Sequence, residues 1–250
     1  VDWVIPVKQA EPTDELRYAL RSIAVNAPHD RIWLVGYRPA WVRGVEHIPT
    51  RQKGTKYANT TLAVRAACEH PDVSDPFVLA NDDFFILRPL RRVPVLHRGP
   101  VRDVEAYYAT RANGKYVRGM RETRELMEAL GIEDPLSYEL HVPLPIRKSG
   151  MLRALDVGAH LPVLHKRSLY GNLEQIGGDQ IRDVKVIHGG GGFPTRGTFL
   201  STMQVSWHGR AGALVRASFP RPGPYETAPP SVRGIPARPQ PQFRRRPAGR

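Results

Sequence analysis

One cysteine, Cys68, stands in 250 residues. A single thiol excludes an intramolecular disulfide framework and any cysteine-rich zinc site. No apolar run approaches the roughly 18–20 residues of a membrane-spanning helix. No signal-peptide pattern is visible, and the chain opens on Val1 without a methionine, so a trimmed start stays open. These absences set the expectation of a reducing, soluble, cytoplasmic setting. Several catalytic signatures are missing too. Gly54–Thr61 (GTKYANTT) lacks the Gly-Lys-Ser/Thr ending of a phosphate-loop ATPase. There is no dinucleotide glycine fingerprint and no His-Glu-x-x-His zinc helix. Ser22, Ser168 and Ser201 lack the Gly-x-Ser-x-Gly context of a hydrolase elbow. No internal repeat is present at any period.

What is abundant is positive charge. The chain carries 37 Lys+Arg against 24 Asp+Glu, a formal net charge of +13. Its location matters more than its size. Residues 220–250 hold seven Arg, no Lys and one acid, Glu226, and nine of the 24 prolines. That segment carries 7 − 1 = +6, and the other 219 residues carry 30 − 23 = +7. A Pro/Arg-rich stretch of this kind cannot build a packed core. With 41 % hydrophobic and 24 % charged residues, the chain as a whole has an ordinary globular composition. The expected division is a catalytic domain over residues 1–226 and a disordered basic tail over 227–250, with 220–226 packed against the domain.

The first half alternates strand and helix. Val1–Val7 and Ile32–Gly36 are short apolar strands, and Val45–Ile48 is a weaker third. Between the first two, Thr13 can cap a helix carrying Leu16, Ala19, Leu20 and Ile23, stopped at Asn26-Ala27-Pro28. Asn59 or Thr60 opens a second helix that ends before Pro71. Phe77–Ala80 is a strand closed by Asn81-Asp82-Asp83, and Phe84–Leu87 resumes the apolar run. This order predicts an α/β fold, a mostly parallel sheet flanked by helices with ligands at the strand C-termini. The second half is less regular. Helices are expected over Glu122–Leu130, Ser149–Leu155 and Gly209–Phe219, and strands over Tyr138–Val142 and Asp183–Ile187.

Asn81-Asp82-Asp83 is the sharpest chemical feature. Adjacent carboxylates at the end of a buried strand suit Mg²⁺ or Mn²⁺, which take oxygen ligands from one or two carboxylates plus substrate phosphates. The same tripeptide also suits a polar turn. Arg17 and Arg21 are four residues apart on one helical face, a pair of forks for a phosphate or carboxylate, or a solvated flank partnered by Asp14 and Glu15. Glu139 and His141 alternate on the expected strand, and either could take a proton from an acceptor hydroxyl. Asp179 is a second candidate base, beside Asp183 at a glycine-rich turn. Lys56, Arg147 and Lys148 could contact phosphate. His188, ahead of Gly189–Gly192, could complete a metal site or belong to a mobile loop.

The succession ELRYALRSI (Glu15–Ile23), the IWLVG strand, Pro39-Ala40-Trp41, Asn59 ahead of a helix and FVLANDDFFIL (Phe77–Leu87) resembles the core of the Stealth family. YELHVPLPIRK (Tyr138–Lys148) is similar to that family's later His-Pro block. Those proteins are sugar-phosphate transferases of capsule synthesis, related to the lysosomal-enzyme N-acetylglucosamine phosphotransferase. The resemblance implies a glycosyltransferase-A-like fold, with Asp82 and Asp83 on the metal and Arg17, Arg21 and Asn59 along the nucleotide-sugar site. It also implies His141 near donor or acceptor. The opening departs from the pattern. The family's first block is aromatic-rich with a further Asp, and here only VDWVIPV stands.

The expectation is a metal-dependent glycosyltransferase with a nucleotide-sugar donor and Mn²⁺ or Mg²⁺. Its acceptor is open among polysaccharide, lipid, protein and nucleic acid. The alternatives are a hexose-1-phosphate transferase on the same fold and a non-enzymatic basic protein that binds nucleic acid. No helix-turn-helix, zinc finger or RNA-binding signature supports the last. Weak binding of polyanions is expected of the tail.

Overall fold

The structure, a computed structural model, describes residues 1–9, 14–109 and 114–227. The expected cap Thr13, and residues 228–250 of the expected tail, lie outside the described residues. The first half runs β1 (Asp2–Val7), α1 (Glu15–Asn26), β2 (Ile32–Gly36), β3 (Glu46–Pro49), α2 (Lys56–Glu69), β4 (Phe77–Leu79) and β5 (Phe84–Ile86). The second half runs β6 (Leu96–His97), α3 (Val101–Ala109), α4 (Lys115–Ala129), β7 (Leu144–Ile146), α5 (Lys148–Val157) and α6 (Lys166–Leu173). Then come β8 (Asp179–Gln180), β9 (Lys185–Val186), β10 (Phe199–Thr202), α7 (Gln204–Trp207) and α8 (Arg210–Ser218). Among the described residues no helix is long and apolar enough to cross a membrane.

The main sheet has the order β3-β2-β1-β4-β7. β1 to β4 are parallel and β7 is antiparallel to β4. Alternation along β1 explains why helices cover both faces. Trp3, Ile5 and Val7 join Leu16, Leu20 and Ile23 of α1 on one side. Val4 joins Ala63, Val64, Ala67 and Cys68 of α2 on the other. The order reverses between β1 and β4, because the chain leaves β1 toward β2 and β3 and returns on its other side. In such sheets the crevice beyond the strand C-termini at the reversal point is where ligands bind.

A smaller sheet, β5-β10-β9, stands beyond that point. β5 follows Asn81-Asp82-Asp83, so the acids sit where the chain passes from the large sheet to the small one. β10 was not foreseen. It pairs antiparallel with β5 and parallel with β9. Residues Tyr138–Val142, expected as a strand, form no strand, and the one that follows is β7. α6 was also missed, because its buried face includes Lys166, Arg167 and Ser168, and polar residues leave no apolar stripe to read.

Residues 220–227 pack against the domain as expected. Glu226 bridges to Val42, and Thr227 donates its backbone N–H to the Trp41 carbonyl at 2.8 Å. Glu226 is buried and takes two hydrogen bonds from Arg21, at 2.5 and 2.9 Å, and another from Arg17. Burial raises its affinity for a proton. The bonds from Arg21, the Gly223 N–H and Arg17 outweigh that and hold the carboxyl at about 2, against an ordinary 4.5. The folded value is depressed, so the pair stabilises fully above the unfolded value of 4.5 and loses this as pH falls toward about 2. Glu226→Gln leaves the Arg21 guanidinium buried without its counter-charge. The expected cost is about 3–5 kcal/mol, read as a lower melting temperature at neutral pH and little further loss on acidification.

Candidate active site

Two cavities meet at Thr60 of α2, and a larger one adjoins the second at His141. The first, about 420 Å³, lies at the reversal point and is lined by Pro6 and Val7 at the end of β1, Lys8 and Gln9 after it, and Gln52, Gly54, Lys56, Asn59 and Asp82. Its volume falls in the range of roughly 300–1,000 Å³ usual for ligand sites. Its floor is apolar, from Val7, Val35 and Ala63. Gln52 ties the rim together, donating to the Val7 carbonyl at 2.6 Å and accepting from the Gln9 N–H at 2.8 Å. That brace needs a glycine at the end of β2. Gly36 has φ +108, and a Cβ there would press on the Gln52 amide and come 2.6 Å from the Val7 carbonyl oxygen. Gly36→Ala is expected to cost about 1–3 kcal/mol and to open the rim, measurable by thermal melting together with ligand affinity.

The N-terminus of α2 faces this cavity. Thr55 caps it, accepting from the Ala58 N–H at 3.2 Å. The Asn59 amide closes the preceding loop by bonding both the N–H and the carbonyl of Gly54 at 3.0 Å. A capped N-terminus with Lys56 beside it favours an anion.

Asp82 lines this cavity where the chain passes to the small sheet, and Asp83 follows it ahead of β5. Burial first, and the neighbouring Asp83 charge second, push the Asp82 carboxyl up to about 7. Asp83 Oδ2 accepts from Lys185 Nζ at 2.5 Å, while its Oδ1 is buried with no hydrogen-bond partner. Glu15 adds a third acid, raised by burial and by Asp83, its Oε1 held at 2.5 Å by the Thr202 hydroxyl. Lys185 is thus set among three acids. An orphaned buried carboxylate oxygen beside a carboxyl with a strengthened proton affinity is a donor pair that a cation could satisfy. No group of three or more His, Cys, Asp or Glu forms a ready-made metal cage among the described residues. The donor set therefore fits a hard divalent ion taking Asp82 and Asp83, with the rest of its coordination from a ligand.

The second cavity, about 180 Å³, continues from Pro6 and Thr60 to Asn81, Glu139, His141 and Lys166. Glu139 and His141 stand on a loop pinned by Arg167. The buried guanidinium donates to the Leu140 carbonyl at 2.5 Å, to Val142 at 2.9 Å and to Leu79 at the end of β4 at 3.1 Å. Glu139 Oε1 accepts from the Arg167 and Ser168 N–H groups at 3.0 and 3.2 Å. His141 Nδ1 faces Asp183, 3.2 and 3.1 Å from its two oxygens. Burial raises the Asp183 carboxyl, but His141 and Arg98 outweigh it and hold it below its ordinary value, so it is ionised and can only accept. In the neutral ring this places the proton on Nδ1 and the lone pair on Nε2. Nε2 makes no hydrogen bond among the described residues. His141 also lines the largest cavity, about 1190 Å³, with Arg98, Tyr107, Tyr108, Ile181, Asp183 and Lys185 on its walls.

The structure thus gathers Lys56, Asn59, Asn81, Asp82, Glu139 and His141 along one connected cleft, while Asp83 pairs with Lys185 on the wall of the largest cavity. It separates the other expected residues. Arg17 and Arg21 share a face as their spacing required, but their ligand is Glu226, with Trp41 4.2 Å from the Arg17 guanidinium, and neither lines the cavities above. Arg147 and Lys148 lie at the opposite end of the sheet, because β7 is antiparallel and pairs Ile146 with Phe77 at the start of β4. There Lys148 Nζ donates to the His70 carbonyl at 2.7 Å. Asp179 is exposed on β8, paired with Leu96, and Asp183 four residues on holds the position expected of it. His188 is exposed and joins no metal-ligating group among the described residues. Reading the sequence missed Lys166, Lys185, Gln52 and Tyr116. Lys185 alternates with Asp183 on the expected strand, which was the one available signal for it.

No family model matches the chain, and no curated protein matches it. Among solved structures it is similar to the apo form of the glycosyltransferase GlyE of Streptococcus pneumoniae TIGR4, at 9 % identity and TM-score 0.35, over 72 % of this chain and 44 % of that one. It is also similar to apo mouse xyloside xylosyltransferase 1, at 10 % identity and TM-score 0.37, over 90 % of this chain and 96 % of that one. The chain spans less than half the length of GlyE. Likeness this distant carries no argument about activity, so the case rests on the cleft itself.

Proposed function

We propose that the protein is a metal-dependent glycosyltransferase. The nucleotide of a sugar-nucleotide donor occupies the cavity at the β1/β4 reversal, its sugar occupies the cavity between Asn81 and His141, and the acceptor enters by the largest one. The observation that carries this reading is the placement of His141. His141 stands on the wall shared by the central and the largest cavities, and Asp82 lines the first cavity, which joins the central one at Pro6 and Thr60.

The chemistry follows from those positions. Val7, Val35 and Ala63 give the base an apolar floor, and Gln9 and Gln52 stand at the rim. The α2 N-terminus and Lys56 attract the diphosphate. Asp82 and Asp83 would hold Mn²⁺ or Mg²⁺, which when bound supplies positive charge to the leaving diphosphate. His141 Nε2 takes the proton of the acceptor hydroxyl. The new bond forms between that oxygen and the anomeric carbon, and the bond from the anomeric carbon to the phosphate oxygen breaks. Asp183 stabilises the imidazolium that results.

The test is a panel of UDP- and GDP-sugars with Mn²⁺ or Mg²⁺, read by release of nucleoside diphosphate. The matching donor is expected also to raise stability by about 2.7 kcal/mol at a hundredfold excess over Kd. A panel with no turnover and no stabilisation would sink the reading. Release of nucleoside monophosphate would instead place the attack at phosphorus, as the hexose-1-phosphate alternative requires.

A further inference from the structure

A side lobe of about 210 Å³ opens from the central cavity at Thr60, bounded by Lys56, Tyr116, Glu139, His165 and Lys166. Two lysines converge on it from different helices. Lys56 comes from the first turn of α2 and Lys166 from the first turn of α6. Lys166 is only 9 % exposed, yet its ammonium makes no hydrogen bond or ion pair among the described residues. A buried cation without a partner is costly, and folds keep one only where something else meets it.

The lobe's own groups meet it only through the charge of Glu139, with no hydrogen bond. Glu139 is the single acid on the wall, and its Oε1 is taken by the N–H groups of Arg167 and Ser168. His165 adds no charge. Burial holds it below its ordinary value, and its Nε2 lies 3.1 Å from the Tyr116 carbonyl. The Tyr116 phenol, raised by burial, stays protonated and can donate. Burial also weakens the hold of the Lys166 amine on its proton, and the Glu139 charge only partly opposes this, so a carboxylate bound beside it would restore the ammonium. Lys56 and the Tyr116 phenol are the other donors on the wall.

We propose that this lobe receives the carboxylate of a uronic acid, so that the transferase selects acidic nucleotide-sugar donors. This rests on the glycosyltransferase reading above. The lobe adjoins the central cavity assigned to the sugar, so its ligand is a substituent of that sugar. A charge-assisted bond to a buried lysine favours the acidic donor by about tenfold to a hundredfold over its neutral counterpart.

The experiment measures affinities of the full chain for UDP-glucuronate against UDP-glucose, for GDP-mannuronate against GDP-mannose, and for UDP and GDP alone, with Mn²⁺. The wild type is expected to prefer the acid within the pair whose base it accepts. Lys166→Met is expected to bring that ratio close to one, while its melting curve shows a folded protein. Equal affinity of the wild type for acid and neutral donors overturns the proposal without touching the transferase reading. Equal losses for both donors in Lys166→Met also overturn it, because they place the lysine on the diphosphate. Failure of every nucleotide and nucleotide-sugar to bind removes the underlying reading and this proposal together.

Discussion

Asp83→Asn is expected to lower metal-dependent turnover by about a thousandfold while leaving the fold intact. The substitution keeps the size of the side chain and removes its charge. Charge stabilisation by a bound metal is worth several kcal/mol in the transition state, and each 1.36 kcal/mol is a factor of about ten in rate. Stability moves the other way or not at all. Asp83 now raises the proton affinity of both Asp82 and Glu15, so losing its charge relieves repulsion among the acids. Lys185 loses an ion pair at 2.5 Å, but it lines the largest cavity and can turn toward solvent there. The measurement is kcat against Mn²⁺ concentration for wild type and variant, with melting curves beside it. A variant that turned over donor at the wild-type rate would remove Asp83 from the metal site.

That such a prediction could begin from the sequence follows from where its information is local. The first sheet is legible because parallel strands buried on both faces read as short apolar runs. VDWVIPV and IWLVG are such runs, and the structure places them as β1 and β2 within a residue of their expected ends. The acids at 82 and 83 are legible because an apolar strand breaks there and resumes. What the chain hides is the partner of each polar group. The four-residue spacing of Arg17 and Arg21 fixes that they share a face. It says nothing of Glu226, which arrives from 205 residues beyond Arg21.

The loop bearing Glu139 and His141 shows a different gap. Alternation suggested a strand placing both on one face. The structure has no strand there, yet both reach the same cavity, because Arg167 gathers the carbonyls of Leu140, Val142 and Leu79. The geometry comes from a buried arginine on a helix whose polar face concealed it. Asp183 was visible as an acid near a glycine-rich turn, but only the fold shows that it, not Asp179, reaches His141.

That contact carries the second large effect. His141→Ala is expected to lower kcat by about 10²–10⁴-fold, the usual worth of a positioned proton acceptor. Donor KM should change little, because the imidazole lies between the donor and acceptor spaces and binds neither diphosphate nor base. Added imidazole should restore part of the turnover in His141→Gly, which a structural role would not allow. Asp183→Asn tests the positioning role. A neutral amide no longer fixes the proton on Nδ1 or stabilises the imidazolium, so the ring can present the wrong tautomer to the acceptor. The expected result is a kcat loss of similar order, with the donor affinity kept and the pH–rate profile displaced. Arg98, 3.8 Å from the Asp183 carboxylate, is then left without its counter-charge, but it keeps its bond to the Tyr108 hydroxyl at 3.0 Å, so the wall of the acceptor cavity should hold. If Asp183→Asn raised KM for donor and left kcat alone, the dyad would be a scaffold for the cleft, and the proton would have to leave the acceptor by way of Glu139, the carboxylate that lines the central cavity.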